Sequence, residues 1–145
     1  MKYVENNINE EKTMNKIVAR YTDGHMVKGI TADFSPIKDC FHVSEANAVP
    51  GAKPVEIKTN NLKALFFVKD FAGNPNRRKS NEFDPPHPPV GRKIKVIFRD
   101  GEVIVGTTTG YQPTRPGFFL VPADTGSNNE RCYIVTGATK EISFI

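Results

Sequence analysis

KIVARYTDGHMVKGITA at residues 16–32 and KIKVIFRDGEVIVGTTT at residues 93–109 are two versions of one pattern. Each runs a β-prone stretch into an aspartate-glycine pair and then into a second β-prone stretch that contains another glycine. Asp23-Gly24 and Asp100-Gly101 are hairpin signals, because glycine reaches positive φ without steric cost. Gly29 and Gly106 fall inside a strand, a place that commonly marks a bulge or a sharp bend. In the second version Ile94, Val96 and Phe98 alternate with Lys95 and Arg99, which predicts one buried and one wetter face.

Working outward, residues 16–68 align on residues 93–145 at a constant offset of 77 with no gap. Thr31, Pro36, Phe41, Ala46, Ile57, Thr59, Lys63 and Phe67 recur as Thr108, Pro113, Phe118, Ala123, Ile134, Thr136, Lys140 and Phe144. These matches are turn residues and apolar strand positions, the residues that set a backbone path. The chain therefore reads as one small unit used twice. Strands are expected near 16–21, 25–33, 40–43, 55–58 and 62–68, and at the corresponding places of the second copy. Five short strands with no helical period between them predict an all-β fold of two tandem five-stranded small barrels. The expected division is a polar segment at 1–15 with a short helix, repeat one at 16–68, a basic and proline-rich linker at 69–92, and repeat two at 93–145.

A unit of 53 residues buries only about 60% of its unfolded surface. The copies are thus expected to pack on each other, or the chain to form a homo-oligomer. The net charge is +4, with the densest basic spot at Arg77-Arg78-Lys79 in the linker. An excess of this size permits an acidic partner without requiring one. Pro85-Pro86-His87-Pro88-Pro89 reads as a stiff polyproline spacer. No apolar run approaches the roughly 18 residues of a membrane span, and MKYVENNINEEK carries no signal-peptide core. Cys40 and Cys132 occupy non-equivalent repeat positions and read as reduced thiols packed in strands, in keeping with a cytoplasmic protein.

The order of the repeat resembles the Sm-like family of five-stranded bent-sheet barrels, with SH3-like barrels sharing much of the pattern. Gly29 is followed five residues later by Phe34, and Gly106 by Tyr111. Ile57-Lys58-Thr59-Asn60-Asn61-Leu62, followed by Leu65, resembles the later Sm-like signature of isoleucine, basic residue, asparagine turn and spaced aliphatics. Where Sm-like proteins carry an aspartate and a later asparagine that help hold a nucleotide, the chain departs from the pattern, with Ser35 and Asp39, then Gln112 and Pro116. Where the family has an arginine, the chain has Lys58 and Val135, so only repeat one keeps part of that set. The strings at 62–74 and 96–135 also resemble an uncharacterised bacterial domain found beside PilZ, response-regulator and type IV pilus components. That resemblance implies a bacterial signalling or motility setting. PilZ-type cyclic-dinucleotide binding would need a further Asp/Asn-x-Ser-x-x-Gly motif that the chain lacks.

No residue pattern points to catalysis, to a cofactor or to a metal. His25, His42 and His87 have no cysteine or carboxylate at ligand spacing, and Gly106-Thr107-Thr108-Thr109-Gly110 lacks the lysine of a phosphate loop. Phe41, Phe66, Phe67, Phe118, Phe119 and Phe144 fall in strands and are expected in the core. The polar loop from Pro122 to Arg131 is expected to close on itself as an Asx turn, with Arg131 paired to Asp124 or Glu130 or else presented to an anion. The expected function is a non-catalytic interaction or regulatory module that holds a protein or a small anionic ligand at the junction of the two units. Its candidate binding residues are Lys38, Lys58, Asn60, Asn61, Arg77, Arg78, Lys79, Arg115 and Arg131. The alternative is binding of RNA or single-stranded nucleic acid through the same basic side chains.

Overall fold

The computed structural model describes residues 14–72, 82–83, 90–124 and 126–145. The expected N-terminal helix, Arg77, Arg78, Lys79 and the proline group lie outside the described residues. Ten strands form in chain order: β1 (Asn15–Tyr21), β2 (Met26–Thr31), β3 (Cys40–Glu45), β4 (Val55–Lys58), β5 (Leu62–Val68), β6 (Arg92–Phe98), β7 (Val103–Thr108), β8 (Gly117–Pro122), β9 (Asn129–Val135) and β10 (Thr139–Phe144). Single 3-10 turns at Thr59–Asn61 and Thr136–Ala138 precede β5 and β10. No helix among the described residues is long and apolar enough to cross a membrane.

The offset of 77 holds at the level of individual hydrogen bonds. The Thr31 hydroxyl donates to the His42 carbonyl at 2.8 Å, and the Thr108 hydroxyl donates to the Phe119 carbonyl at 2.8 Å. The Thr59 N–H donates to Asp39 O and the Thr136 N–H to Pro116 O. Both first hairpins turn at their aspartate-glycine pairs, with Gly24 and Gly101 at φ 99° and 94°. Of the bulge or sharp bend expected at the mid-strand glycines, the pairing shows no bulge. The β1–β2 register runs unbroken through Gly29, and β6–β7 through Gly106. A Cβ added to Gly29 would run into the Ser44 carbonyl, and one added to Gly106 into the Val121 carbonyl. Strand three crosses too closely for any side chain.

The expectation of two closed barrels is corrected. All ten strands belong to one antiparallel sheet in the order β10-β6-β7-β8-β9-β5-β1-β2-β3-β4. Within each copy the order is fifth-first-second-third-fourth, and neither copy closes on itself. The free edge of β5 pairs instead with β9 of the other copy, setting Ala64 opposite Ile134, Leu65 opposite Tyr133 and Phe66 opposite Cys132. The reason is visible in LKALFFV, which has no polar face to leave in water. All seven residues of β5 are buried, as expected of a strand packed on both sides.

This pairing makes the two cores share strands. One cluster is built from Ile94, Val96, Phe98, Phe118 and Leu120 of repeat two, and β5 adds Ala64, Phe66 and Val68 to it. The other contains Ile17, Ala19, Phe41, Val43 and Ile57 of repeat one, and β9 adds Tyr133 and Val135. Of the six phenylalanines expected in the core four are buried, Phe119 is half-buried, and Phe144 is 39% exposed on β10, whose outer side no strand flanks among the described residues. Interlocked cores should unfold together. Phe66→Ala is expected to cost about 3–5 kcal/mol, and methyl resonances from both repeats should vanish in one urea transition; separate transitions would contradict strand sharing.

Candidate functional site

Two places gather the polar and basic side chains: the β5–β9 junction and the outer edge of β4. At the junction, parallel demands of burial assemble an aromatic group from both copies. The Phe34 ring meets Phe41, Phe67 and Tyr133 edge-on, with centroids 5.1, 5.9 and 5.1 Å away, and Phe119 at 6.2 Å. Edge-to-face packing of this kind is the preferred arrangement of aromatic quadrupoles. Over this group lies Arg131, the third residue of β9. Its guanidinium carbon sits 4.3 Å from the Phe67 centroid and 4.7 Å from that of Phe119.

Among the described residues no ion pair joins Arg131 to Asp124 or Glu130, the pairing the loop alone suggested. The loop does close as an Asx turn, the Asp124 carboxylate accepting the Gly126 N–H at 3.0 Å. The arginine is drawn the other way, onto two ring faces that β5 and β8, the strands on either side of its own, supply. Among the described residues no carboxylate forms an ion pair with it, and the residue is exposed. A guanidinium over ring faces gains cation–π attraction without using its N–H donors. The same end of the junction is pinned by Asn128, whose side-chain carbonyl accepts the Asp70 N–H at 3.0 Å and whose amide donates to Asp70 O at 2.8 Å.

At the other end of β5, Lys63 joins the two copies electrostatically. Its side chain is 9% exposed, it donates to Asp100 Oδ2 at 2.7 Å and to Glu102 Oε1, and its ammonium lies 4.7 Å from the Phe98 ring. The Lys63 hydrogen bond, helped by the Glu102 backbone N–H, holds the Asp100 carboxyl below the ordinary carboxylate range. A carboxyl lowered in the folded state stabilises the fold above its unfolded pKa, and that contribution is lost as pH falls through the folded value. Unfolding free energy should therefore decline below about pH 4. Lys63→Met should flatten that decline and cost about 1–2 kcal/mol at neutral pH, measured by urea unfolding across a pH series.

The second place is an open cleft of about 510 Å³ lined by Asp39, Cys40, Glu56, Lys58, Asn60 and Asn61. It brings together Lys58, Asn60 and Asn61 of the sequence-derived set. Asp39, Cys40 and Glu56 were not among the candidate binding residues, although comparing the two copies would have exposed them. The six counterparts in repeat two are Pro116, Gly117, Tyr133, Val135, Gly137 and Ala138, so every lining position changes. There Tyr133 fills the space, lying so close to Gly117 that a Cβ would meet its ring. Beside the cleft, His42 Nδ1 lies 2.8 Å from Asp33 Oδ2 and its Nε2 stands 3.8 Å from Glu56. Burial alone would raise the Asp33 carboxyl, but hydrogen bonds from the His42 N–H, its imidazole and the Thr31 hydroxyl hold it below the usual range.

Lys38 and Arg115 occupy equivalent exposed turns, each N–H donating to the carbonyl three residues back, and Arg115 Nε also donates to Gln112 Oε1 at 3.1 Å. Neither belongs to the junction cluster or to the cleft. Cys132 is buried in β9, and burial pushes its thiol up to about 12. With this geometry established, the chain belongs to a family of unknown function, DUF6982, whose model matches residues 13–145. Neither a curated protein nor a solved structure matches it.

Proposed function

We propose that the protein is a non-catalytic interaction or regulatory module that holds an anionic group at the β5–β9 junction. The observation that carries this reading is Arg131, exposed, stacked on Phe67 and Phe119, and without a carboxylate partner among the described residues. An ammonium or guanidinium that structure needs for itself is normally paired, as Lys63 is with Asp100 and Glu102. Arg131 instead lies over two apolar rings, which leaves its directed donors for a carboxylate or phosphate. The ligand is a small anion or the acidic group of a protein partner, and the two share this chemistry.

The within-copy strand order supports the Sm-like kinship at the level of topology, and the strings at 62–74 and 96–135 support a bacterial, cytoplasmic signalling or motility setting. Nucleic-acid binding is the competing reading. Lys38, Lys58, Arg115 and Arg131 are dispersed over two turns, the cleft and the junction, and Arg131 already uses the two aromatic faces nearest to it.

Titration of inorganic pyrophosphate and of an acidic peptide, followed by amide chemical shifts, tests the proposal. Shifts should concentrate on Phe67, Phe119, Asn129 and Arg131, and Arg131→Ala should weaken binding on the order of tenfold while the unfolding midpoint stays close to that of the parent. Absence of junction shifts with both probes would sink it. Binding of single-stranded RNA that falls log-linearly with salt, and that survives Arg131→Ala, would favour the competitor.

A further inference from the structure

The outward face of β1 and β2 in repeat one mixes cations with apolar side chains. Ile17 and Ala19 turn into the core of repeat one, so Lys16, Val18 and Arg20 take the other face of β1, as strand alternation requires. The register sets Ile30 opposite Lys16, Lys28 opposite Val18 and Met26 opposite Arg20. Each cation therefore has an apolar neighbour across the strand, and none of these positions is a carboxylate. Met26 is 48% and Ile30 36% exposed, and Lys16 and Lys28 are exposed as well. Val18 also pairs with Phe66 and packs against the core of repeat two. That puts this face on the opposite side of the sheet from Arg131, whose cross-strand partner is Phe67.

The neighbouring groups leave two of the cations uncompensated. Ser44 of β3 stands beside Ile30, and Ala46 donates its N–H to the Lys28 carbonyl. Asp33 and Glu56, farther along, face His42. Arg20 lies over the Phe66 ring, 5.7 Å from its centroid, and its charge helps hold the Asp100 carboxyl low. Lys16 and Lys28 converge instead on Phe71. The Lys16 ammonium is 5.9 Å from that ring centroid, and the Lys28 ammonium donates to the Phe71 carbonyl at 3.1 Å. Among the described residues neither lysine forms an ion pair. Two ammoniums gathered at one residue, with exposed apolar side chains beside them, are complementary to a ligand that is both acidic and apolar.

Repeat two shows the kind of segment that such a face accepts. Its equivalents of Lys28 and Ile30 are Val105 and Thr107, only 8% and 6% exposed. Its equivalent of Lys16 is Lys93, whose ammonium lies 4.8 Å from the ring centroid of Phe83. Phe83 stands between Glu82 and Asp84 in the sequence. The stretch between the copies thus brings an aromatic residue with acidic neighbours to this lysine, while the same positions of repeat one stay open. We infer that the β1–β2 face of repeat one docks an acidic segment of a partner protein, with carboxylates meeting Lys16 and Lys28 and apolar side chains covering Met26 and Ile30. This goes beyond the anion site and does not depend on it, because the two lie on opposite sides of the sheet.

Amide and methyl chemical shifts of the full chain, titrated to millimolar with the synthetic peptide Glu-Phe-Asp-Leu-Glu, test the inference. Shifts should gather on Met26, Lys28 and Ile30 and persist in Arg131→Ala. Lys16→Glu and Lys28→Glu should each weaken binding roughly threefold to tenfold. Met26→Ser should weaken it with no change of charge, as should serine in place of the peptide's phenylalanine and leucine. Both lysines are exposed, and Lys16→Gln and Lys28→Gln serve as milder variants if a glutamate disturbs folding. Absence of shifts on this face at millimolar peptide overturns the inference, and so does binding indifferent to both lysines. Binding to phosphatidylcholine vesicles containing one-fifth phosphatidylserine, or to single-stranded RNA, that Lys28→Glu abolishes while the peptide gives no shifts would also overturn it, assigning the face to a lipid or nucleic-acid surface.

Discussion

The pairing of β5 with β9 is the constraint on which the rest of the molecule depends. It exists because residues 62–68 offer water no polar face, while a five-stranded sheet of this order would leave one side of that strand open. Antiparallel addition of β9 covers it and gives repeat two three apolar side chains for its core, Ala64, Phe66 and Val68. In return Tyr133 and Val135 complete the core of repeat one. Neither copy has a complete core without the other, which is how two units of marginal size make one stable sheet.

The functional asymmetry follows from the same pairing. Once one copy provides its fourth strand and the other its fifth, equivalent residues meet different neighbours. Phe67 lies inside the junction, under an arginine from the opposite copy. Its equivalent Phe144 lies at an open end, under Arg92 of the neighbouring strand β6, 3.6 Å from the ring. Lys63 is buried between carboxylates while Lys140 is exposed. Selection on an internal repeat can then act on each member separately. The cleft residues record this, being polar in repeat one and small or apolar in repeat two.

Much of the fold was legible in the sequence because its signals are local. The Asp23-Gly24 and Asp100-Gly101 turns, the Ile94–Val96–Phe98 alternation and the bounds of β4 and β5 depend on neighbours within a few residues. The start of β9 was less legible, since Asn129 and Glu130 read as loop and become strand only by pairing with β5. The site was legible in part. Period-two alternation in β4 and the following turn gather Lys58, Asn60 and Asn61, the set taken from the Sm-like resemblance. Phe34 and Phe119 gave no sign of forming a platform, because the rings beside them come from sequence positions far away.

The sequence by itself determined the repeat, the all-β class, the turns and the strand content, since backbone conformation follows from glycine placement and the two-residue period of burial. The tertiary structure alone decided that the copies form one sheet rather than two closed barrels. It also decided that Arg131 leaves the acidic residues of its own loop for the aromatic faces of two strands. Both are choices among partners distant in the chain. Such choices are settled by which apolar edge is left uncovered, a property of the assembled sheet and of no segment within it.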